Sequence, residues 1–362
     1  MTDQQTFGGR VSRRAFLGTA ATSAAIPALP FTSLIAAGPA SGSTAHTKLN
    51  SKFNGVQIGT ITYSFRDLDT GIDAMLKAAV DANCSSIELL SNGIEDWCGA
   101  PKAPARQGGP PAMMGERGGA RAGAGGGRPF PFEQNLTPEQ KAAQEKYNTE
   151  IKAWRMKAPM ERFAQLKKMF DDAGVGIHIV KWSPARWSDE EIDYAFKTAK
   201  ALGAKAITEE WSLDAAKKLG PFAEKHGMVI AFHNHGQWGQ AGFEDDVIKP
   251  GLAVSKAVKL NFDVGHFYGS SGVHPNEIID KYRDRIFSLH LKDKTGPKTT
   301  PADTNQVWGQ GECPLADVLL KVRDEKLPYY CDIELEYQIP AWSNSIKEVR
   351  TCVNFAREIL TR

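Results

Sequence analysis

From residue 56 to the C-terminus, short apolar runs alternate with amphipathic segments. The runs Val56–Ser64, Ser86–Leu90, Ile177–Lys181, Ala206–Glu209, Val229–His233, Lys259–Asp263, Ile286–Leu291 and Tyr329–Glu334 are four to nine residues long and read as buried strands. Helical spacing fills the gaps. Gly71–Asn83 places Ile72, Met75, Leu76 and Ala79 on one face, and Ser188–Leu202 opens with Ser-Asp-Glu-Glu, an N-cap followed by an acidic first turn. Leu213–His226, Pro275–Tyr282, Pro314–Glu325 and Ser343–Leu360 follow the same pattern, while the polar run Pro138–Lys157 leads into a long helix ending near Ala173. Gly174, Gly203 and Gly227 stand where helices stop, as left-handed caps would require. Strand–helix alternation predicts a parallel sheet with right-handed crossovers, and eight such units predict an α/β chain closed into a (β/α)8 TIM barrel. An open doubly wound sheet is the alternative, but no glycine-rich first turn supports it.

Two stretches depart from this rhythm. Ser12-Arg13-Arg14-Ala15-Phe16-Leu17 resembles a twin-arginine export motif, and an Ala- and Thr-rich run follows it to Ala37. Pro27 and Pro30 interrupt that run, which argues against a stable membrane span. Residues 1–45 are therefore expected to be a signal peptide and linker, with cleavage at Ala36-Ala37 or Thr44-Ala45 and a periplasmic or otherwise exported product without a span. The barrel is expected over 50–362. It is broken at 100–135 by an insertion dense in Gly, Pro, Ala and Arg, which cannot bury enough apolar surface to fold alone.

Composition narrows the function. The net charge of +2 implies no polyanionic partner and counts against nucleic acid. The five cysteines, at 84, 98, 313, 331 and 352, show no C-x-x-C spacing, which argues against a structural zinc cluster. An oxidising destination would permit a disulfide without naming its pair.

The chemistry gathers at four successive strand ends: Phe232-His233-Asn234-His235-Gly236, Phe262-Asp263-Val264-Gly265-His266, Ser288-Leu289-His290-Leu291-Lys292-Asp293 and Asp332-Ile333-Glu334-Leu335-Glu336. Residues i and i+2 of a strand share a face. His233 thus faces as His235 does, His290 as Lys292 does, and Asp332 as Glu334 and Glu336 do. An interior apolar in its middle layers would put these polar faces at the upper rim. Gly265 would let the chain turn, so that His266 swings back over the mouth. The candidate ligands are His233, Asp263, His290 and Glu334, with Glu336 competing for the last position. The mixed His/Asp/Glu set suits Mn2+ first, then Zn2+, Fe2+, Co2+ or Mg2+. His235 and His266 are expected to support the ligands or touch substrate. Glu209 or Glu210, ending the fourth strand, offers a general base, and Glu334, Lys292 and His266 are further catalytic candidates. Glu88, Lys181, Trp211 and Glu336 are candidate substrate contacts. Trp182, Trp187, Trp211 and Trp238 all follow strand ends and would suit stacking on sugar rings, unless they are simply packed. Gly309-Gln310-Gly311 reads as a loop former rather than a phosphate cradle.

The D-x-x-H at Asp263 and His266, the H-x-K-D from His290 to Asp293, the G-x-G at Gly309 and Gly311 and the acidic motif at Glu334 resemble the xylose isomerase-like TIM-barrel superfamily. That group includes sugar phosphate isomerases/epimerases, inosose dehydratases and endonuclease IV. The resemblance runs from about Val56 to the C-terminus outside the insertion. It implies a divalent metal held by a strand-five Glu, a strand-six Asp, a strand-seven His and a strand-eight Glu, positions occupied here by His233, Asp263, His290 and Glu334. The first is a departure, since the usual E-N-H is here His233-Asn234-His235, and Glu209 or Glu210 could replace that ligand. The implied activity is proton abstraction beside a carbonyl of an unphosphorylated sugar or keto-glycoside, leading to isomerisation, epimerisation or elimination. A metal-dependent hydrolase and a non-catalytic sugar-binding barrel are the rivals. The expected partner is a small carbohydrate, and a homo-oligomer is compatible with this picture.

Overall fold

The apolar runs become parallel strands because their side chains point alternately into a barrel and out under a layer of helices, away from water on both sides. The computed structural model describes residues 49–68, 71–91, 93–104 and 137–362, so the expected signal and most of the insertion lie outside the described residues. Strands β1 (Val56–Ile61), β2 (Ser86–Leu90), β3 (Gly176–Lys181), β4 (Ala206–Glu210), β5 (Val229–His233), β6 (Val258–Asp263), β7 (Ile286–Leu291) and β8 (Tyr330–Ile333) pair in parallel in chain order. β8 returns to β1 through Cys331 opposite Ile58 and Ile333 opposite Thr60, which closes the TIM barrel. β1 stops at Ile61, short of the expected Ser64. The next residues form a tight turn whose Ser64 hydroxyl donates to the Ile333 carbonyl and accepts from the Leu335 amide, which keeps the ends of β1 and β8 together.

Helices cover the outside: α1 (Ile72–Asp81), α2 (Ile94–Trp97), α3 (Pro138–Arg155), α4 (Met160–Asp172), α5 (Asp189–Ala201), α6 (Leu213–His226), α7 (Lys249–Ala253), α8 (Val264–Ser271), α9 (Pro275–Lys281), α10 (Leu315–Asp324) and α11 (Ser345–Thr361). The polar run from 138 is itself a helix, not a lead-in to one. Thr137 and Gln140 cap it reciprocally, and Pro159 separates it from α4. α3 buries little besides Ile151, and it is tied down by Arg155, which reaches Glu95 of α2 and Glu191 of α5 at 2.8 and 2.9 Å. The glycines expected to stop helices at 174, 203 and 227 all have positive φ. Among the described residues no helix is long and apolar enough to cross a membrane.

The main core lies between strands and helices, where Phe163, Phe170, Phe196, Phe232 and Phe262 are fully buried. The barrel interior departs from the expected apolar filling. Its apolar part is small: Ile179, Ala206 and Ala231, with Val229 and Phe287 against them. Below the mouth, Glu88 accepts from Asn261 Nδ2 at 3.0 Å and Thr208 Oγ1 at 3.2 Å, and lies 2.8 Å from His290 Nε2. One level further down, His178 bridges Ser86 Oγ and Asp332 Oδ2, each at 2.8 Å. A register shift pairs Ile87 with Ile177 but Glu88 with Ile179, and the skipped His178 reaches the interior. These buried polar groups persist because they are hydrogen-bonded to one another.

All five cysteines are buried and unpaired, so no disulfide forms. Burial pushes the Cys84 and Cys98 thiols up to about 12, and Cys313, Cys331 and Cys352 also upward. The reactive form is the thiolate. At pH 8 the native protein should therefore leave its thiols unreacted with a disulfide reagent for many minutes, and all five should react once it is unfolded in guanidinium. Rapid modification of the native chain would contradict this packing.

Candidate metal centre

β5, β6, β7 and the residue following β8 deliver His233, Asp263, His290 and Glu334 to one point at the C-terminal mouth. All four are buried, and their ligand-capable atoms lie within 4.8 Å of one another. Strand parity anticipated this convergence. Two overlapping groups share its histidines: Glu210 with His233 and His235, and Glu88 with His290 and Asp332. Two imidazoles and two carboxylates in a buried cluster fit a divalent ion of the Mn2+, Fe2+, Co2+ or Zn2+ kind. His290 is oriented for this from beneath, since Glu88 holds Nε2 while Nδ1 lies 2.9 Å from Glu334 Oε2. Burial opposes a charge on His290, but Glu88 and Glu334 outweigh it and raise its pKa to about 9.

Lys292 joins the cluster as its cation. Nζ lies 2.9 Å from Asp263 Oδ2, 2.8 Å from Glu334 Oε2 and 2.7 Å from Glu336 Oε2. Burial alone would neutralise this amine, yet the three carboxylates hold it well above the usual lysine range. Burial likewise disfavours the charged forms of Asp263 and Glu334, and Lys292 more than compensates, holding both carboxyls well below the carboxylate range. Beside them, His266 is kept neutral by burial and by Lys292 and Lys294. Its Nε2 makes no hydrogen bond, with Glu336 Oε2 3.5 Å away.

On the other flank, Glu210 faces the site and Glu209 does not. Glu210 reaches Lys181 Nζ at 2.8 Å, His235 Nδ1 at 3.3 Å and His233 Nδ1 at 3.4 Å. Glu209 turns outward and accepts from the Ala185 and Glu210 amides, so it is a loop anchor rather than a catalytic or replacement ligand. His235 is exposed at the rim. Two other expectations are corrected. Glu88 is wholly buried under His290 and cannot touch a substrate at the mouth. Trp211 stacks on Phe232 at 4.7 Å and packs against Gly251 of α7, behind the barrel wall. Trp182 and Trp238 are buried as well, and their rings pack on Trp187 and Tyr194 and on Phe262 and Phe267, because each loop folds its aromatic side chain back into the outer core.

Sequence reading missed the groups that brace the site. Asn234, opposite His233 in parity, accepts from the Asp263 amide at 2.9 Å and donates to the Asp263 carbonyl at 3.1 Å, fastening β5 to β6. Asp293, opposite Lys292, accepts from the amides of Gly309, Gly311 and Cys313 at 2.8, 3.0 and 3.2 Å, so the G-x-G loop is held by a carboxylate. Lys294 lies 3.4 Å from His266 Nδ1 and 2.6 Å from Asp303. Gly265 is not a hinge. Asp263 caps α8 by accepting from the His266 amide at 2.7 Å, which is what brings His266 over the mouth. Gly265 instead lets Lys292 pass: a Cβ there would lie 2.2 Å from Lys292 Cγ and 2.5 Å from its carbonyl oxygen.

Gly265→Ala should therefore cost about 1–3 kcal/mol in urea unfolding, the usual range for overpacking. Glu210→Gln should weaken metal binding about 10–100-fold, as loss of a group behind a ligand does. Glu209→Gln should leave metal affinity unchanged in the same titration.

Comparison with known proteins agrees with this architecture. The family model of the xylose isomerase-like TIM barrel matches residues 145–353, more than half of the chain. An inosose dehydratase of Clostridium beijerinckii is 35% identical over 136 residues, covering 36% of this chain and 38% of that protein. One from Clostridium perfringens strain 13 is 28% identical over 155 residues, covering 38% and 51%. The chain thus spans between about two-fifths and one-half of the length of these curated relatives. Among solved structures, a xylose isomerase domain protein of Alicyclobacillus acidocaldarius superposes with a TM-score of 0.52 at 12% identity, over 84% of this chain and 100% of that one. The probable 3-DHS dehydratase AsbF of Bacillus anthracis gives 0.50 at 12% identity, over 83% and 98%. These last two likenesses speak to fold alone, and together with the family match they lead to one statement: the chain belongs to the xylose isomerase-like TIM-barrel family.

Proposed function

We propose that this chain is a divalent-metal-dependent enzyme that takes a proton from the carbon beside a carbonyl of an unphosphorylated polyhydroxy ketone or keto-glycoside. The observation that carries the reading is the buried convergence of His233, Asp263, His290 and Glu334 at the barrel mouth. The names of the curated relatives favour elimination of water over isomerisation, and an inosose is the first substrate to try. The twin-arginine stretch supports an exported enzyme, which favours a sugar without phosphate.

When bound, a metal ion in this quartet would supply Lewis acidity toward a substrate carbonyl or hydroxyl oxygen. The chain's own groups divide the rest. The Glu210 carboxylate, half-buried on the site side of β4, accepts the proton as the C–H bond breaks. His266 does not, because Lys294 faces its Nδ1 and the neutral ring then carries its hydrogen on Nε2. The Lys292 ammonium and the neighbouring imidazoles offset the negative charge that develops on the oxygen. In an elimination the C–O bond of a neighbouring hydroxyl then breaks, and a proton must reach that oxygen for water to leave. His235, exposed at the rim and 3.3 Å from Glu210, is placed to supply it. Glu210 and His235 return to their starting state by exchange with solvent.

The test is a panel of inososes, keto-sugars and keto-glycosides, with Mn2+ added back to metal-stripped protein and products read by NMR in D2O. Asp263→Ala and His290→Ala should lose stoichiometric metal and turnover together, and Glu210→Gln should lower kcat about 100-fold or more at saturating Mn2+. Deuterium should appear beside the carbonyl of substrate or product. Full turnover by the metal-stripped protein would sink the proposal.

A further inference from the structure

The oxygens that would ligate a metal are already held by an ammonium. Lys292 Nζ contacts Asp263 Oδ2 and Glu334 Oε2, the same two atoms that face His233 Nε2 at 3.3 and 3.6 Å. A divalent ion bonds carboxylate oxygen at about 2.0–2.2 Å. An ion on these oxygens and an ammonium at 2.8–2.9 Å from them would stand close together in a buried pocket, where like charges repel strongly.

Lys292 has a third partner that is not in the quartet. Glu336 Oε2 lies 2.7 Å from Nζ, two residues beyond Glu334 on the same face, and 3.5 Å from His266 Nε2. The root of the side chain is confined, since its Cγ and carbonyl oxygen lie against Gly265. Only the outer methylenes are left to move. A short swing would release Asp263 and Glu334 while keeping Glu336.

We propose that Lys292 is the resident counter-cation of this site: it holds the carboxylates together while no metal is bound, and yields two of them to the metal by moving onto Glu336. Metal uptake and the movement of Lys292 onto Glu336 are then one event. The inference rests on the metal reading of the site. It predicts opposite effects for two neighbours. Without the ammonium, three carboxylates converge with only the His233 and His290 imidazoles to offset them, so the empty site loses stability and binds a cation more tightly. Without the Glu336 charge, Lys292 has nowhere to move and the metal binds less tightly. A merely structural pair would loosen the site and lower affinity in both cases.

Calorimetric titration of metal-stripped full-length protein with Mn2+ alone, and with Zn2+ alone, tests this. Lys292→Met should bind Mn2+ roughly tenfold or more tightly than the wild type, Glu336→Gln roughly tenfold or more weakly. Thermal unfolding should show metal-free Lys292→Met below the wild type, with a larger rise on adding Mn2+. Equal or weaker affinity in a folded Lys292→Met protein overturns the proposal and leaves the metal reading standing. If neither wild type nor variant binds either metal, the metal reading falls and this inference with it. Should Lys292→Met fail to fold, Glu336→Gln decides alone: unchanged or tighter binding overturns the proposal.

Discussion

Three carboxylates meet in a water-poor mouth around one ammonium, and most of the upper barrel is arranged so that they can. Burying an ion costs several kcal/mol unless a partner is placed with good geometry. Lys292 meets that condition with contacts of 2.7–2.9 Å to Asp263, Glu334 and Glu336. The surrounding devices follow from it. Gly265 gives up its side chain so the lysine can pass, Asn234 ties the Asp263 backbone to β5, and Asp293 draws in the loop from Gly309 to Cys313.

The same demand extends down the barrel. Most barrels of this kind fill their interior with branched apolar side chains. Here Glu88, Thr208, Asn261 and Ser288 form a hydrogen-bonded level under His290, and Ser86, His178 and Asp332 form another beneath it. The upper level fixes the orientation of His290. The apolar work of stabilisation is left to the layer between strands and helices, where the large aromatic residues lie. A polar interior of this type trades stability for a single, well-determined arrangement only if every group is satisfied. The exception is Asp332 Oδ1, which is buried without a hydrogen-bond partner.

Much of this was legible from local pattern. The eight strands and the common direction of His233, Asp263, His290 and Glu334 depend on patterns within short segments, which sequence displays directly. What alternation could not show was the identity of neighbours. Glu209 and Glu210 differ only by which way one strand faces. Trp211 follows a strand end as a mouth residue would, yet a packed ring on Phe232 is the lower-energy place for it. His178 enters the interior through a register shift between β2 and β3, a property of two strands together.

By itself the sequence determined the closed alternation of strand and helix and the four donors at successive strand ends, because periodicity and strand parity are properties of short segments. Only the tertiary structure decided that Lys292 stands on the ligand oxygens, that Glu88 supports His290 instead of meeting substrate, and that His266 lies between Lys294 and Glu336. These are relations between residues tens to hundreds of positions apart. The cost of burying charge lets a group stay ionised only where the fold brings its partner within hydrogen-bond reach.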